Sequence, residues 1–289
     1  MIYNSYQTAE IIGVNVSTIK RWTDMGKLKC DTTVGGHRKF NLNHISEFIK
    51  NDPQYSSKLN LGYLIGSNKS LIESIDNRNN KTLINYCYKY LIAGKINKFI
   101  LLNNSLLLKG FNIHSIFDDI FLPVLEKIGN EWEKGNLTIS EEHLATEIIR
   151  KFLSNLNINY LAKQTIYNAF CFTLIDDKHD LSLSMGESIL NQNKKIKTFN
   201  LGASLPVEDF INLSQKTQPD IIFISIIYIS DIDQLTNQMN ILCKYFLKNK
   251  KTKIFLRGSG VSALNLKYNN FVNLSSFEDF QSKINNYFK

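Results

Sequence analysis

Apolar side chains recur at three- and four-residue spacing through residues 70–160, the pattern of helices that each bury one face. Four segments carry this pattern: LINYCYKYLIAG, INKFILLNNSLLLKG, HSIFDDIFLPVLEKIGNEW and ISEEHLATEIIRKFLSNL. The joints between them are short, and short joints favour antiparallel neighbours. The pattern therefore predicts a four-helix bundle over residues 70–160.

From about residue 165 to residue 289 the pattern changes, because apolar runs now alternate with helical stretches of ten or more residues. The apolar runs are YNAFCFTLI, IKTFNLG, IIFISIIY and KIFLRG. This alternation is typical of a parallel sheet with helices on its faces. The chain is thus expected to be multidomain, with an α part followed by an α/β part.

Residues 1–50 predict a helix, a tight turn at Gly13 and a second helix. The second helix of such a pair can enter the major groove of DNA. Its polar residues are Ser17, Thr18, Lys20 and Arg21. A hairpin at Gly35-Gly36 follows, and the residues at its exit are His37, Arg38 and Lys39. A basic hairpin of this kind is suited to gripping phosphates.

Composition adds limits to this picture. The 289-residue chain has a net charge of +8, which permits a nucleic-acid partner without requiring one. Residues 51–69 mix Pro, Ser, Gly and Asn and are interpreted as a linker. No apolar core follows Met1, and the longest apolar run, 221–229, is too short to span a bilayer. The four scattered cysteines include no CxxC pair, which argues against a disulfide scaffold or a zinc site. We therefore expect a cytoplasmic protein, and the short apolar runs predict that it has no membrane partner.

Candidate ligand-binding residues follow the predicted strands, where open α/β sheets bind their ligands. They are Asp176, Asp177, His179, Ser225, Ile227, Gly258, Ser259 and Gly260. Asp177 and His179 form an Asp-x-His pair, and a metal-bound imidazole commonly donates its other N–H to a carboxylate. The glycines let a bulky ligand approach the backbone.

A second candidate group lies in the helical region. Thr138 and Glu141 form a capping box that starts a helix, and the helical hairpin before it brings Trp132, Glu142 and His143 towards one pocket. An indole can cover a flat ligand, and a carboxylate can bind ribose hydroxyls. The residues of this helix expected to face the bundle are Leu144, Ile148 and Ile149.

Residues 3–50 closely resemble the winged helix-turn-helix of the MerR superfamily. The resemblance implies that Ser17, Thr18, Lys20 and Arg21 face the groove, that Arg38 and Lys39 contact the DNA backbone, and that Ile19 and Trp22 pack the core. It also implies a homo-oligomer, since dimers of such heads bind palindromic double-stranded operators.

The edge residues after 165 resemble the signature of the Rossmann-like cobalamin-binding domain, Asp-x-His-x-x-Gly, Ser-x-Leu and Gly-Gly. The matching residues are Asp177, His179, Ser182, Ser225, Ile227, Gly258, Ser259 and Gly260. The resemblance implies that His179 is the lower axial ligand of cobalt and that the nucleotide tail of the cofactor threads past Ser225 and the glycines. Ser182 stands where the signature has glycine, Ile227 where it has leucine, and Ser259 interrupts the glycine pair.

Nearly the whole chain is similar to the cobalamin-binding photoreceptor transcriptional repressors of the MerR superfamily, the CarH and LitR type. The bundle segment that carries this likeness is LPVLEKIGNEWEKGNLTISEEHLAT. The resemblance implies adenosylcobalamin, or methylcobalamin, between bundle and sheet, with Trp132, Glu142 and His143 at its upper face. It also implies a light-responsive switch, not an enzyme, whose dark tetramer holds operator DNA.

One departure bears on that mechanism, because Glu133 occupies the position after Trp132 where studied members have a cobalt-capping histidine. Two other functions stay open at this stage. The C-terminal half could be a cobalamin-independent protein-interaction module, or the chain could be a corrinoid carrier for methyl transfer.

Overall fold

The structure, a computed structural model, describes residues 2–158, 165–248 and 251–288. It divides into two compact units, Met1–Ile148 and Ile149–Lys289, and the division falls inside the helix Ile139–Ile158. The ends of the predicted domains at residues 1, 159–160 and 289 lie outside the described residues. The limits chosen for the three domains remain predictions.

The first unit begins with the predicted helical pair and hairpin. Its elements are β1 (Ile2–Asn4), α1 (Ser5–Ile12), α2 (Val16–Asp24), β2 (Asp31–Thr32), β3 (Arg38–Asn41) and α3 (Leu42–Asn51). The strands form an antiparallel sheet in the order β1-β3-β2, so the hairpin is a wing on a small sheet. Gly13 ends α1 with φ +76°, and a Cβ there would lie 2.6 Å from the carbonyl oxygen of Lys58. Both facts require glycine at this turn.

The segment interpreted as a linker packs against this head. It contains a 3₁₀ turn (Pro53–Tyr55) and α4 (Leu61–Ile65). Leu59, Leu61 and Leu64 are buried, and the Asn60 amide donates to the carbonyl of Ile11 at 2.9 Å. Three leucines spaced for burial outweigh the turn-forming residues around them, so this segment is an ordered part of the first unit.

All four predicted helices of the bundle are present. The helical elements are α5 (Lys69–Asp76), α6 (Asn80–Ile92), α7 (Ile96–Leu108), α8 (Ile113–Ile116), α9 (Leu122–Glu133) and α10 (Ile139–Ile158). A π-helical turn, Phe117–Phe121, joins α8 to α9 just before Pro123, which makes the predicted third helix continuous. The prediction for Leu144 is wrong: it is 41% exposed, and Ala145 takes the buried position beside it. Ile148 and Ile149 are buried as expected.

The second unit contains a five-stranded parallel sheet in the order β5-β4-β6-β7-β8, the Rossmann-like α/β arrangement predicted from the alternation. Its strands are β4 (Tyr167–Leu174), β5 (Ile196–Leu205), β6 (Ile221–Ser225), β7 (Lys253–Arg257) and β8 (Phe271–Asn273). Its helices after α10 are α11 (Leu181–Leu190), α12 (Val207–Thr217), α13 (Ile232–Phe246) and α14 (Phe277–Tyr287).

Side chains alternate between the two faces of this sheet. On one face, Phe172 and Ile224 join the apolar cluster that includes Phe210 of α12 and Met239 of α13. On the other face, Phe223 stacks on Phe280 of α14 with ring centroids 4.9 Å apart. With both faces covered, the carboxyl ends of the strands and the loops after them are where this unit can present a site.

Over residues 2–158, 165–248 and 251–288, no helix is both long enough and apolar enough to cross a membrane.

Candidate functional site

Asp177 is the centre of the site at the carboxyl edge of the sheet. Its carboxylate is buried, with the residue only 3% exposed, and both oxygens accept hydrogen bonds. Oδ1 accepts from the backbone amide of His179 at 3.0 Å and from its ring Nδ1 at 2.8 Å. Oδ2 accepts from the amides of Ile227 at 2.7 Å and Tyr228 at 3.2 Å. One carboxylate therefore ties the loop after β4 to the loop after β6.

These contacts determine the charge of Asp177 and the tautomer of His179. Burial alone would raise the pKa of Asp177, but the hydrogen bonds from His179, Ile227 and Tyr228 outweigh it and hold that pKa below the ordinary value of 3.8. Beside an ionised carboxylate, Nδ1 carries the proton and Nε2 carries the lone pair of the ring. The His179 side chain is 54% exposed, so the arrangement is suited to ligating a metal through Nε2.

Replacing Asp177 by asparagine should destabilise the second unit by about 2 kcal/mol. Asparagine has an NH₂ group in place of one carboxylate oxygen, and this group would face buried N–H donors that now donate to Asp177. Equilibrium denaturation of the variant measures this loss. Asp176→Asn is the matched control, since Asp176 is exposed and has φ +70°, a conformation that asparagine tolerates. Equal stability of Asp177→Asn and wild type would contradict the role given to this carboxylate.

The predicted glycine-rich stretch after β7 packs against the same loop. The hydroxyl of Ser259 donates to the carbonyl of Ile227 at 3.2 Å, and the amide of Gly260 donates to the carbonyl of Ile226 at 3.0 Å. Gly258 has φ +126°, and a Cβ there would lie 2.6 Å from the carbonyl carbon of Ile226. Internal packing alone therefore requires glycine at position 258.

Two hydroxyls near this edge have no hydrogen-bond partner among the residues that the structure describes. They are Ser225 Oγ, at the end of β6, and Ser182 Oγ, in the first turn of α11; the two residues are 0% and 4% exposed. A buried hydroxyl without a partner is costly, and it is expected where a polar ligand atom completes the site.

Two side chains that support this edge, Thr173 and Arg150, were not predicted from the sequence. Thr173, at the end of β4, donates to the backbone carbonyl of Asp177 and accepts from the Ser204 amide at 2.8 Å. Arg150 on α10 pairs with Asp180, the residue after His179, at 2.6 Å. The position of Thr173 at the end of an apolar strand could have indicated from the sequence that it supports the edge. The pairing of Arg150 with Asp180 could not, because it depends on tertiary structure.

In the first unit, the structure confirms the capping box that starts α10. The amide of Thr138 donates to Glu141 Oε2 at 2.8 Å, and the amide of Glu141 donates to Thr138 Oγ1 at 3.2 Å. One turn later, Glu142 Oε1 accepts from Thr146 Oγ1 at 2.8 Å, while Glu142 Oε2 lies 3.9 Å from His143 Nδ1. The carboxylate of Glu142 is therefore oriented by its own helix.

Trp132 at the end of α9 is 45% exposed, so it is not a buried anchor of the bundle. Ile139 and Leu144 on α10 are exposed as well, at 60% and 41%. These three exposed apolar side chains lie close in the chain to the Glu142–His143 pair.

The head presents the predicted groove-facing residues on α2. Ser17, Lys20 and Arg21 are exposed and Thr18 is partly exposed, while Ile19 and Trp22 are buried as expected. In the wing, His37 is exposed and Lys39 is half-buried. Arg38 is half-buried and forms an ion pair with Asp24 at 2.5 Å, a contact that sequence reasoning missed. Arg38 thereby links the wing to the end of α2, in addition to any phosphate contact.

Comparisons with known proteins agree with this layout. Residues 3–48 match the model of the MerR HTH family regulatory protein, and residues 83–157 match the model of the B12 binding domain. The HTH-type transcriptional repressor CarH of Myxococcus xanthus is 27% identical over 110 residues, which are 38% of this chain and 36% of that protein. The chain thus aligns with only about a third of the length of this curated relative.

Among solved structures, the monomethylamine corrinoid protein of Methanosarcina barkeri is similar to this chain with a TM-score of 0.55 and 13% identity. The similarity covers 71% of this chain and 98% of that one, and at this identity it shows the fold alone. The two matched family models and the corrinoid-protein fold together lead to one conclusion: the chain joins a MerR-type helix-turn-helix head to a B12-binding domain.

Proposed function

We propose that this chain is a cobalamin-dependent transcriptional repressor that binds operator DNA through its head and responds to the upper axial ligand of the cofactor. The observation that carries the proposal is the Asp177–His179 pair, in which a buried carboxylate holds Nδ1 at 2.8 Å. The same chain contains a MerR-type head. A regulator that senses a corrinoid needs both parts, whereas a methyl carrier has no use for reading DNA.

The residues at the sheet edge fit cobalamin. His179 Nε2 would be the lower ligand of cobalt, oriented by Asp177. The partnerless hydroxyls of Ser182 and Ser225 would meet polar atoms of the nucleotide tail, and Ile227, Gly258, Ser259 and Gly260 form the loops beside them. When bound, cobalamin supplies a cobalt centre whose upper ligand can exchange or be released by light.

The upper-face residues are proposed from the first unit. The exposed indole of Trp132 would cover the ligand, and Glu142, fixed by Thr146, would accept hydrogen bonds from ribose hydroxyls of an adenosyl group. Glu133 stands where studied members of the resembling family have a capping histidine. His143 is therefore the imidazole of this segment that would be available to the cofactor after illumination.

The switch follows from differential binding. A cofactor with one upper ligand stabilises one assembly state of the protein, a dimer or a tetramer, and loss of that ligand removes the bias. The protein performs no chemistry on a substrate in this scheme and acts in the cytoplasm, where its DNA partner is.

DNA binding should respond differently to changes on α2 and in the wing. Arg21→Ala should lower affinity for the operator by about 1–3 kcal/mol and relax its sequence preference, since a groove-facing arginine reads bases. Lys39→Ala should weaken binding to all sequences and reduce the slope of log K against log salt by about 1.

Fluorescence anisotropy with operator and random duplexes at several salt concentrations measures both effects. Lys29→Ala is the matched control, because Lys29 is already paired with Glu47 at 2.7 Å in the head. If Arg21→Ala and Lys39→Ala both bind DNA as wild type does, the assigned geometry of the head is wrong.

The proposed function is tested by incubating the full chain with adenosylcobalamin in the dark, then recording its absorption spectrum, size and DNA affinity before and after green light. We expect coloured protein whose size and DNA affinity change on illumination. Coloured protein whose size and DNA affinity do not change on illumination would support cobalamin binding and contradict a response to light. Colourless protein with unchanged size would contradict the proposal and favour the protein-interaction alternative.

A further inference from the structure

The loop between β4 and α11 carries His179, and its first half is anchored to the sheet. Oδ2 of Asp177 accepts from the amides of Ile227 and Tyr228, at 2.7 and 3.2 Å, in the loop after β6. The backbone carbonyl of Asp177 accepts from the hydroxyl of Thr173 on β4. These contacts fix the chain before His179 and leave the residue after it to be held by other contacts.

Asp180, the residue after His179, is held by a helix. It occupies the N-cap position of α11, where an aspartate side chain usually accepts hydrogen bonds from backbone amides of the first turn. The Asp180 side chain forms no such bond, and its Oδ2 instead accepts from Nη1 of Arg150 on α10 at 2.6 Å. The two side chains are 32% and 34% exposed, so the ion pair is partly shielded from solvent. The Asp180 carboxylate thus binds Arg150 in place of the start of its own helix.

The ion pair is the first of a row of polar contacts between α10 and α11. Asn157, two turns after Arg150, donates from Nδ2 to the Ser184 carbonyl at 3.4 Å and accepts at Oδ1 from the Ser188 hydroxyl at 2.7 Å. Asp180, Ser184 and Ser188 are spaced four residues apart and therefore lie along one face of α11. The second half of α10 therefore supports α11 from the residue after His179 onwards.

We propose that Arg150 is a positioning residue for the lower axial ligand: through Asp180 it fixes the chain after His179 and so the place of the His179 ring. The inference rests on the proposed function and deepens it, because it names a residue of α10 that acts on the ligand of cobalt. The same helix carries Glu142 and His143 in its first turns. The groups proposed for the two faces of the cofactor are therefore connected through one helix and one ion pair.

Loss of the ion pair would free the Asp180 carboxylate to cap α11. Asp180 has φ −86° and ψ −10°, whereas a residue that caps a helix usually has an extended backbone. Capping would therefore rotate the backbone of Asp180 and displace His179 relative to α11. A metal ligand has to be held within about 0.5 Å of its productive position, so this displacement weakens ligation. The new cap meanwhile offsets the loss of the ion pair in the stability of the protein.

The test measures cobalamin binding by the full chain with Arg150→Gln, with Asp180→Asn and with both substitutions. Absorbance titration gives the dissociation constant. Electron paramagnetic resonance of the Co(II) protein, made with ¹⁵N-labelled histidine, gives the fraction of bound cobalt that has a histidine ligand. Each single variant should bind about fivefold more weakly than wild type, the upper range for a partly exposed ion pair, and should show a smaller histidine-ligated fraction. The double variant should lose no more than either single variant, because the same contact is removed.

A role of Arg150 in folding alone predicts that affinity falls only as stability falls. Denaturant unfolding of the protein without cofactor should instead give the same midpoint for Arg150→Gln as for wild type, because the freed Asp180 caps α11. Asp76→Asn is the matched control, since it removes an ion pair of the first unit in which Lys109 Nζ lies 2.7 Å from Asp76 Oδ1. This control should bind cobalamin as wild type does.

Wild-type affinity and an unchanged histidine-ligated fraction in both single variants would overturn this inference while leaving the proposed function intact. Losses that add up in the double variant, or weaker binding explained by an equal loss of stability, would overturn it as well. If Arg150→Gln does not fold, Asp180→Asn decides the matter, because it removes the same ion pair and asparagine is also a good helix cap. A wild-type protein that binds no cobalamin, or binds it without a histidine ligand, would overturn the proposed function itself.

Discussion

Replacing His179 by alanine should lower the affinity for cobalamin on the order of a hundredfold and change the absorption spectrum of whatever cofactor remains bound. The reason is that the substitution removes the metal ligand itself, whereas loss of a supporting group alone costs 10–100-fold in roughly similar sites. Absorbance titration of wild type and variant under dim red light measures both quantities. The spectrum of the bound cofactor reports the lower ligand even where some affinity remains.

His114→Ala is the matched control for this experiment. His114 lies on α8 of the first unit, outside every candidate site, with Nδ1 3.4 Å from the Ser115 hydroxyl. The control should bind the cofactor as wild type does. A His179→Ala spectrum identical to that of wild type would remove His179 as a ligand, and the Asp177 contact would then serve only to fix the loop.

Replacing Gly258 by alanine should destabilise the second unit by about 3 kcal/mol or more, without any cofactor present. The added Cβ would collide with the backbone of Ile226, 2.6 Å from its carbonyl carbon, at φ +126°. A backbone collision cannot be relieved by a side-chain rotation, so the loop after β6 would have to move. Denaturant unfolding followed by circular dichroism measures the loss.

Gly202→Ala separates strain from collision in this comparison. Gly202 also has a positive φ, +83°, but a Cβ there meets nothing within 4 Å. We expect this control to cost about 1 kcal/mol. If Gly258→Ala costs no more than Gly202→Ala, the close approach to Ile226 is not what requires the glycine.

Much of the fold could be predicted from the sequence because the relevant signals are local. The alternation of apolar runs and helical stretches predicted the parallel sheet, and Thr138 with Glu141 predicted the start of α10. Gly35-Gly36 predicted the wing hairpin, where Gly36 has φ +78°. In each case a side-chain type or a spacing determines a conformation within a few residues.

The features that were missed depend on partners far away in the sequence. The three-residue strand β1 is stabilised by its pairing with β3, and the residues Ile2–Asn4 alone do not predict this pairing. The ion pair of Arg38 with Asp24 and the exposure of Leu144 likewise follow from tertiary packing.

The candidate site shows the same division. Asp177 and His179 are two residues apart, so their pairing could be read from the sequence, and the structure brings them together at 2.8 Å. The second half of that contact, the Ile227 and Tyr228 amides on Oδ2, comes from a loop fifty residues on.

The proposed function depends on a bond from a His179 nitrogen to cobalt, and electron paramagnetic resonance of the reduced Co(II) protein tests it directly. The full chain is produced with ¹⁵N-labelled histidine and loaded with unlabelled cobalamin. A histidine ligand predicts that each cobalt line is split into a doublet by ¹⁵N, and that the doublet is absent in His179→Ala. A triplet from the ¹⁴N of the cofactor's own base would show that this base, and not His179, is the nitrogen ligand of cobalt, and would contradict the proposed function.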